Sequence, residues 1–360
     1  MISLKHLTMT VQGQQPVEDT FGDLQNLRKL ELECNSMENS LVESLGNMVN
    51  LEDLAIALDG QQTVRDIFGH LLKLRKFELG CYGVENSLVE SLGSLISLED
   101  LTIRVRGQQA VRDIFGHLRN LRRVEDFELV CEHGSTTALA RNMINLKHLA
   151  VKVHGDQSVQ DVFGHLRNLQ QFELVCRGVE DSLVEGFRNL INLEDLTIAI
   201  QGQQTVRDTF GPLHNLRKFE LRCSSIENSL VESFRKMINL EDLTIELQGQ
   251  QTVGDIFGHF RKLRKFKLVC TGMENSLVES LGGMVSLEDL TIVVQGQQAV
   301  RDVFGHLWNL RRFNLVCSGI ENNLVQSWGK LTTTRSRITI GQDYFSCLLS
   351  SVGPTLFSTF

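Results

Sequence analysis

Apolar and polar residues along this chain recur with a long and regular period. The stretch that begins at Leu51 returns at Leu98, 47 residues later, and each period holds two related but distinguishable units of 23 or 24 residues. The first unit type has the pattern Leu-x-x-Leu-x-Ile/Val-x-Val, and the second has Leu-x-x-Phe-x-Leu-x-Cys. A period in this range is typical of a solenoid, in which every unit buries its apolar side against its neighbours.

The last three apolar positions of each unit alternate with other residues, which predicts a half-buried β-strand. We count fourteen such units, and a fifteenth strand is predicted at residues 337–340. The leading residues of the fourteen units, taken as the strand starts, are Leu4, Leu27, Leu51, Leu74, Leu98, Val124, Leu146, Leu169, Leu193, Leu216, Leu240, Leu263, Leu287 and Leu310.

A short helix is predicted after each strand. Thr63–Asp66 in the first unit type and Ser40–Glu43 in the second match Ser/Thr-x-x-Asp/Glu, the capping box that satisfies free amides at a helix start. Gly69 and Gly46 stand where these helices are expected to stop. Because strand and helix alternate in every unit, the chain is expected to be an α/β protein.

One elongated domain is expected at residues 1–340, made of about 14 to 15 units in the 47-residue double repeat, because no linker divides the chain. The pattern decays after Leu331. Residues 341–360 fit no repeat and are expected to form an irregular C-terminal cap or tail over the last core layer.

Each unit combines a strand, a turn and a short helix, and its strand has a Leu-x-x-Leu-x-Leu-like pattern, as in Leu51, Leu54 and Ile56. This arrangement resembles the leucine-rich-repeat family. The resemblance covers about residues 1–330. It implies a solenoid curved like a horseshoe, with a parallel sheet on the concave face and short helices on the convex face. The family usually has Asn or Cys three residues after the last strand Leu, whereas Cys81 comes two residues after Leu79. The family's buried Asn ladder is therefore expected to be absent or replaced.

Two more specific resemblances follow from the same residues. The alternation of two unit types is similar to the cytosolic ribonuclease-inhibitor branch of the family, although those units are longer. The stretch NSLVESLGNMVNLEDL at residues 39–54 resembles the repeat regions of plant intracellular immune receptors. Nothing in the chain matches the nucleotide-binding domain that such receptors carry.

Composition narrows the class of protein. A hydrophobic content of 42% and a charged content of 22% are those of a folded soluble protein. The net charge of −8 argues against nucleic-acid binding, because phosphate contact needs clustered Lys and Arg. No apolar run approaches the roughly 18 to 20 residues that span a bilayer. We therefore expect a monomer that binds neither nucleic acid nor membrane.

Cysteine usage indicates the compartment. Neighbouring repeats of the second type are two strands apart, about twice 4.8 Å, which exceeds the roughly 7 Å limit on Cα separation in a disulfide. These thiols are therefore expected to be buried, reduced and unliganded, in a cytoplasmic protein. Seven of the eight cysteines share this repeat position, namely Cys34, Cys81, Cys131, Cys176, Cys223, Cys270 and Cys317.

A recurring Asp-x-x-x-His is the one motif with metal-ligand spacing. It repeats with the solenoid, and Pro212 replaces the His in one copy, so the structural interpretation is favoured. Phosphate loops, nucleophile triads and paired metal cysteines are not found. We expect no enzyme activity, no catalytic residue, no metal and no cofactor. The pairs concerned are Asp66/His70, Asp113/His117 and Asp302/His306.

The exposed positions of the predicted sheet alternate acid and base from strand to strand, which favours cross-strand ion pairs. The alternation breaks at the sixth strand, which follows a three-residue insertion before Asp126. Acids on the fifth and sixth strands are expected to lie side by side and unpaired. A binding surface is one reason to tolerate that cost, and drift in a diverged repeat is the other. The predicted partner-binding residues are Glu99, Asp100, Glu125, Asp126, Glu128, His148, Lys152 and Gln171.

These observations predict a non-catalytic scaffold that binds a protein partner on its concave face, the partner presenting a basic or mixed patch. The alternative is a ligand-sensing or autoinhibitory repeat segment of a larger intracellular immune or signalling receptor. The start of the repeats at Leu4, with no polar cap before it, favours that alternative. The sequence does not identify the partner.

Overall fold

The structure, a computed structural model, describes most of the repeat units. The expected cap or tail at residues 341–360 lies outside the described residues. Those described are 4–18, 24–65, 70–107, 121, 124–131, 145–153, 158–159, 165–179, 186–187, 189–206, 213–227, 230, 233–234, 236–253, 260–296, 299–300, 307, 309–320 and 335–340.

Fifteen long strands run through the described residues, one per coil of the solenoid. The predicted fifteenth strand is confirmed, although it begins two residues earlier than expected. The strands are β1 His6–Thr10, β2 Lys29–Cys34, β3 Asp53–Leu58, β4 Lys76–Cys81, β5 Asp100–Val105, β6 Asp126–Cys131, β7 His148–Val153, β8 Gln171–Cys176, β9 Asp195–Ile200, β10 Lys218–Cys223, β11 Asp242–Leu247, β12 Lys265–Cys270, β13 Asp289–Val294, β14 Arg312–Cys317 and β15 Arg335–Ile340.

The chain divides into two compact units, Met1–Gly202 with Thr209–Leu213, and Gln203–Asp208 with His214–Phe360. The first unit contains β1–β9, and neighbouring strands there pair in parallel without a register shift, as Asp53 with Lys76. The second unit contains β10–β15 with the same parallel pairing, as Asp242 with Lys265. Each set of stacked parallel coils has the solenoid form that the repeat pattern predicts.

Alternate strand residues build the core. In β3, Leu54, Ile56 and Leu58 are at most 1% exposed, so the period of two separates a buried face from an open one. The leading Leu51 is also buried, but its amide bonds to Met48 O at 2.9 Å within a tight turn. The strand therefore begins two residues after the leading Leu, later than the sequence predicted.

Units of the second type close with short helices: α1 Asn39–Gly46, α2 Asn86–Leu92 and α3 Asn275–Gly282. Leu41 and Leu45 of α1 are buried, and its end at Gly46 is as predicted. The capping-box prediction is wrong at this helix. Glu38, in extended conformation, precedes the helix and no side chain caps it, so Ser40 lies inside the first turn.

The first unit type closes differently. Thr63–Val64, predicted to start a helix, instead forms a short strand parallel to Gly83–Val84 of the next coil. The helix start predicted there is wrong because backbone pairing between coils, which local sequence does not reveal, outweighs the capping pattern. Ile67 and Phe68 lie outside the described residues. The same pairing joins Ser158–Val159 to Gly178–Val179, Thr205–Val206 to Ser225–Ile226, Thr252–Val253 to Gly272–Met273, and Ala299–Val300 to Gly319–Ile320.

The return loop, the segment that follows a strand of the first unit type, lies very close to the preceding coil. Gly60 donates its amide to Asn35 O at 2.8 Å, and a Cβ at Gly60 would lie 2.5 Å from that oxygen. Only glycine fits such an approach of two backbones. The same close approach occurs at Gly107, Gly202, Gly249 and Gly296.

A glutamine two residues after this glycine bonds to the backbone of the same preceding coil; we call this contact the clamp. The Gln62 amide accepts from Met37 N and donates to Met37 O, both at 2.7 Å. Gln251 does the same to Ile226, at 2.8 and 2.6 Å. The side chain thus satisfies one backbone donor and one acceptor between coils. At these two coils the backbone between coils is thus bridged by a glutamine, in a chain whose sequence predicts that the family's Asn ladder is absent or replaced.

Candidate functional site

The charged face is the side of the strands that carries the residue just before each strand and its first, third and fifth residues. Acids and bases on it alternate as predicted. In the first unit Lys29 Nζ lies 3.2 Å from Asp53 Oδ2, and Lys76 Nζ lies 3.0 Å from Asp100 Oδ2. The hydrogen bond to Asp100 and its charge raise the pKa of the Lys76 ammonium above its usual value. The face is therefore a row of formed ion pairs.

A second row runs along the residues that immediately precede the strands. Arg28 Nη1 lies 3.1 Å from Glu52 Oε1, and Arg75 Nη2 lies 2.7 Å from Glu99 Oε2. The hydrogen bond to Glu99 raises the pKa of the Arg75 guanidinium above its usual value. Such exposed pairs contribute little to stability, so the rows mainly set the charge pattern of this face.

The alternation of acid and base from strand to strand reverses its phase between β5 and β6, so that both strands carry an acid at the first position. Asp100 and Asp126 are in register on these neighbouring strands, and Glu125 N bonds to Glu99 O at 2.8 Å. Four acids thus share one junction, as the sequence indicated. Like charges side by side on a sheet are unfavourable, and the pairing on the outer sides of the two strands offsets that cost.

The expectation that these acids are unpaired is wrong. Glu99 pairs with Arg75 and Asp100 with Lys76 on β4. On the other side, Lys147 Nζ lies 2.8 Å from Glu125 Oε2. His148 Nδ1 contacts Asp126 Oδ1. Each acid therefore reaches a base on the strand beyond, because the alternation shifts by one strand instead of stopping.

Arg104 is a member of this site that sequence reasoning missed. It is the fifth residue of β5, and its guanidinium contacts Glu78 on β4 and lies 2.9 Å from Glu128 on β6. Burial works to lower the pKa of Arg104, but the hydrogen bonds and charges of Glu78 and Glu128 raise it overall. The signal was an Arg at the fifth strand position, which holds Gly80 and Val130 on the two flanking strands.

Lys152 continues this row across the next strands. Its ammonium lies 3.7 Å from Glu128 and 3.1 Å from Glu173 on β8. Charges therefore alternate along a continuous row of Glu78, Arg104, Glu128, Lys152 and Glu173. Gln171 is exposed and lies in register with His148. The structure thus brings all eight predicted residues onto neighbouring strands β5–β8 or the residues just before them.

The second unit has its own charge cluster on β10–β12. Arg222 Nη2 lies 2.6 Å from Glu220, and Lys267 Nζ lies 2.7 Å from Glu246. Arg222 Nε lies 3.3 Å from Glu246, but it is buried and makes no hydrogen bond with suitable angles among the described residues. These side chains are only 16–24% exposed, so the cluster holds strands together more than it offers a surface.

The repeat cysteines are structural. The thiol of Cys81 donates to Gly83 O at 3.3 Å, and that of Cys223 to Ser225 O at 3.4 Å. Burial raises the pKa of the thiols of Cys81, Cys176, Cys223 and Cys270 to about 12. The prediction of buried free thiols is confirmed at the described cysteines; the Cys131 side chain lies outside them.

In the described part of the chain, no cluster of three or more potential metal ligands occurs. Of the Asp-x-x-x-His pairs, Asp66, Asp113, His117, Asp302 and His306 lie outside it, and His70 is exposed. No helix among the described residues is long and apolar enough to cross a membrane.

Comparison with known protein families matches a leucine-rich repeat region over residues 132–350, more than half of the 360 residues. The chain belongs to the leucine-rich repeat family. No match was found among curated proteins. The match does not bear on the resemblance to plant immune receptors, which stays a prediction.

Solved leucine-rich repeat structures share this fold. An internalin, InlF from Listeria monocytogenes, is 17% identical with a TM-score of 0.61, covering 94% of this chain and 87% of that one. The TLR13–ssRNA13 complex is 17% identical with a TM-score of 0.67, and the match covers 94% of this chain and 51% of that one. The mouse RP105/MD-1 complex is 15% identical with a TM-score of 0.66, and the match covers 92% of this chain and 59% of that one. Identities this low show the fold and leave the ligand of this leucine-rich repeat protein open.

Proposed function

We propose that this chain is a non-catalytic protein-binding scaffold and that the charged face, expected to be the concave face of the solenoid, holds its partner. Leucine-rich repeats are generally protein-interaction scaffolds, and the strands present side chains in fixed rows at a spacing of about 4.8 Å. A cytoplasmic location fits the buried thiols of the repeat cysteines. RNA is disfavoured as a ligand by the net charge of −8.

The phase reversal at β5–β6 is the observation that carries the choice of site. Asp53, Asp242 and Asp289 in the same row each lie in register with a base on both neighbouring strands. Only at Asp100 and Asp126, among the described residue pairs of this row, does an acid lie in register with an acid. A cation from a partner gains most at such a point because it meets two carboxylates at once.

The partner is expected to present a basic or mixed patch. A Lys or Arg entering between Asp100 and Asp126 meets carboxylates, while the flanking bases Lys76 and Lys147 favour acids around it. Association then weakens as salt rises, because screening shortens to about 8 Å near 0.15 M. Glu99, Glu125, Glu128, His148, Lys152 and Gln171 surround this point and complete the proposed surface.

Affinity capture from a cell lysate with matched variants tests this proposal. Asp100→Asn with Asp126→Asn removes the in-register acids and adds no like charge beside Lys76 or His148. The control, Asp242→Asn with Asp289→Asn, removes two charges at the same strand position where alternation is intact.

The first variant should lose the partner that the wild-type chain captures, and the control should keep it. Retained capture in the first variant contradicts the proposed site. Loss in both variants would indicate a general electrostatic attraction instead of a local site. Melting curves of all three proteins check that the fold is intact.

A further inference from the structure

Among the described residues of the second unit, a polar groove of about 500 Å³ lies along the row that precedes strands β11–β14. We call it the edge groove. Three basic residues line it, Lys262, Arg264 and Arg311, against two acids, Glu241 and Glu288. The groove therefore carries more positive than negative side chains, whereas the β5–β6 junction gathers acids.

The carboxylate of Glu288 serves two of these bases. Arg264 Nη2 lies 2.7 Å from Glu288 Oε1, whereas Arg311 Nη1 is 3.7 Å from Glu288 Oε2, too far for a hydrogen bond. This long contact is the only ion pair or side-chain hydrogen bond of Arg311 with the described residues. Its side chain is 76% exposed, so the guanidinium fork remains available to a ligand.

Lys262 has a neutral partner. Its ammonium donates to Asn239 Oδ1 at 2.7 Å, which fixes the side chain without cancelling its charge. Lys262 and Arg311 belong to coils two strands apart, and such coils are spaced by about 10 Å along the sheet. Two positive groups on separate coils suit two carboxylates on one extended peptide. The arginine fork can bind a carboxylate through two parallel hydrogen bonds.

Two exposed aliphatic residues next to the groove along the chain favour a peptide over a free anion. Val285 directly precedes Ser286, which lines the groove, and Ile238 directly precedes Asn239, the partner of Lys262. Their exposed fractions are 54% and 62%. Aliphatic side chains adjacent in sequence to these positions suit a segment that carries both acidic and apolar residues.

We propose that the edge groove is a second docking site, specific for an acidic segment of a protein partner in which carboxylates flank an apolar residue. Lys262 and Arg311 bind the carboxylates, and Ile238 and Val285 contact the apolar side chain. The proposal does not depend on the β5–β6 site, which has the opposite charge and lies in the other unit.

Fluorescence anisotropy with the full chain tests it, using a short labelled peptide in which Glu flanks Leu between Gly spacers. Lys262→Gln with Arg311→Gln should weaken binding by roughly tenfold or more, since it removes both charge-assisted contacts. The matched control is Lys73→Gln with Arg28→Gln in the first unit. There Lys73 donates to Asn50 Oδ1 at 2.7 Å and Arg28 pairs with Glu52. This control should bind the peptide like the wild type.

Equal weakening in both variants, or none in the first, overturns the proposal. The same peptide with Gln in place of Glu should not bind, and binding of it would exclude carboxylate recognition. Inorganic phosphate is the competitor for the other anion class. If phosphate displaces the labelled peptide at a lower concentration than the same peptide without its label does, the groove is a phosphate site and the acidic-segment assignment is wrong.

Discussion

The return loops and the charged face of this solenoid are held by different kinds of contact. In the return loops, backbone meets backbone: Gly249 N lies 2.8 Å from Ser224 O, and the Gln251 amide satisfies both polar groups of Ile226. On the charged face, side chains meet side chains, and most pairs are more than a third exposed on at least one partner, as Arg75 with Glu99.

This difference in contacts indicates that the return loops contribute mainly to stability and that the charged face is freer to vary for recognition. A return loop accepts one residue type at Gly249, because any Cβ would lie 2.6 Å from a carbonyl oxygen. The charged face tolerates many residue types at the same strand position, and it therefore has freedom to shift its charge phase at β5–β6. Substitutions in the two regions should differ accordingly in their effects on unfolding and on binding.

The largest loss is expected for Gly249→Ala. The added methyl clashes with the Ser224 carbonyl, which is backbone and cannot move without shifting a coil, so the free energy of unfolding should fall by about 1–3 kcal/mol. Gly80→Ala is the control, because its nearest atom would be Ala57 Cα at 3.9 Å. Urea denaturation measures both, and equal losses would contradict the close-approach account.

A smaller loss is expected for Gln251→Leu. It leaves the Ile226 amide and carbonyl without their partner, which costs about 1–2 kcal/mol. The neighbouring Gln250 is exposed, so Gln250→Leu should change the free energy of unfolding by less than about 0.5 kcal/mol. If both glutamines prove equally replaceable, the clamp does not hold the coils together.

Alkaline pH should weaken the coils through their thiols. Burial raises the pKa of Cys223 to about 12, whereas an unfolded thiol ionises near 8.5. The unfolded chain therefore loses protons first, and stability falls as pH rises from about 9 towards 12. Denaturation of wild type and Cys223→Ala should show a shallower pH slope in the variant. Identical slopes would mean that this thiol ionises equally in both states.

The smallest effect on stability is expected on the charged face. Asp100→Asn with Asp126→Asn should leave the melting temperature nearly unchanged, because removal of the like-charge contact between the strands offsets the loss of the contacts with Lys76 and His148. Asp242→Asn with Asp289→Asn should lower it slightly, because it removes partners of Lys265 and Arg312. Calorimetry compares the two, and a clear loss of stability in the first variant alone would contradict the phase-reversal account.

The strands and the core were predictable because their period of two can be read directly from one unit, as in Leu54, Ile56 and Leu58. The acid–base rows were predictable because the same exposed position can be compared from unit to unit, as in Asp53 and Lys76. The short strand at Thr63–Val64 was not, because its partner Gly83–Val84 lies on another coil and local sequence favours a capping box. The recurring Gly-Gln-Gln carried the signal of the clamp, but its function depends on a neighbouring backbone.

The sequence predicted only part of the site, because it shows strand positions and not the contacts that side chains make between strands. Strand alternation placed Asp100 beside Asp126 correctly. It did not reveal that Lys147 and His148 would compensate from the next strand, because that depends on how far each side chain reaches. Arg104 was missed because its two partners, Glu78 and Glu128, stand at a different strand position from its own.

Carboxyl footprinting with mass spectrometry, on the chain alone and bound to the partner it captures, tests the central claim most directly. Carbodiimide-driven labelling reports the exposure of each Asp and Glu separately. Labelling of Asp100 and Asp126 should fall on binding, while labelling of Asp242 and Asp289 at the same strand position should not change. Protection of Asp242 and Asp289 with Asp100 and Asp126 unchanged would place the partner away from β5–β6 and contradict the account.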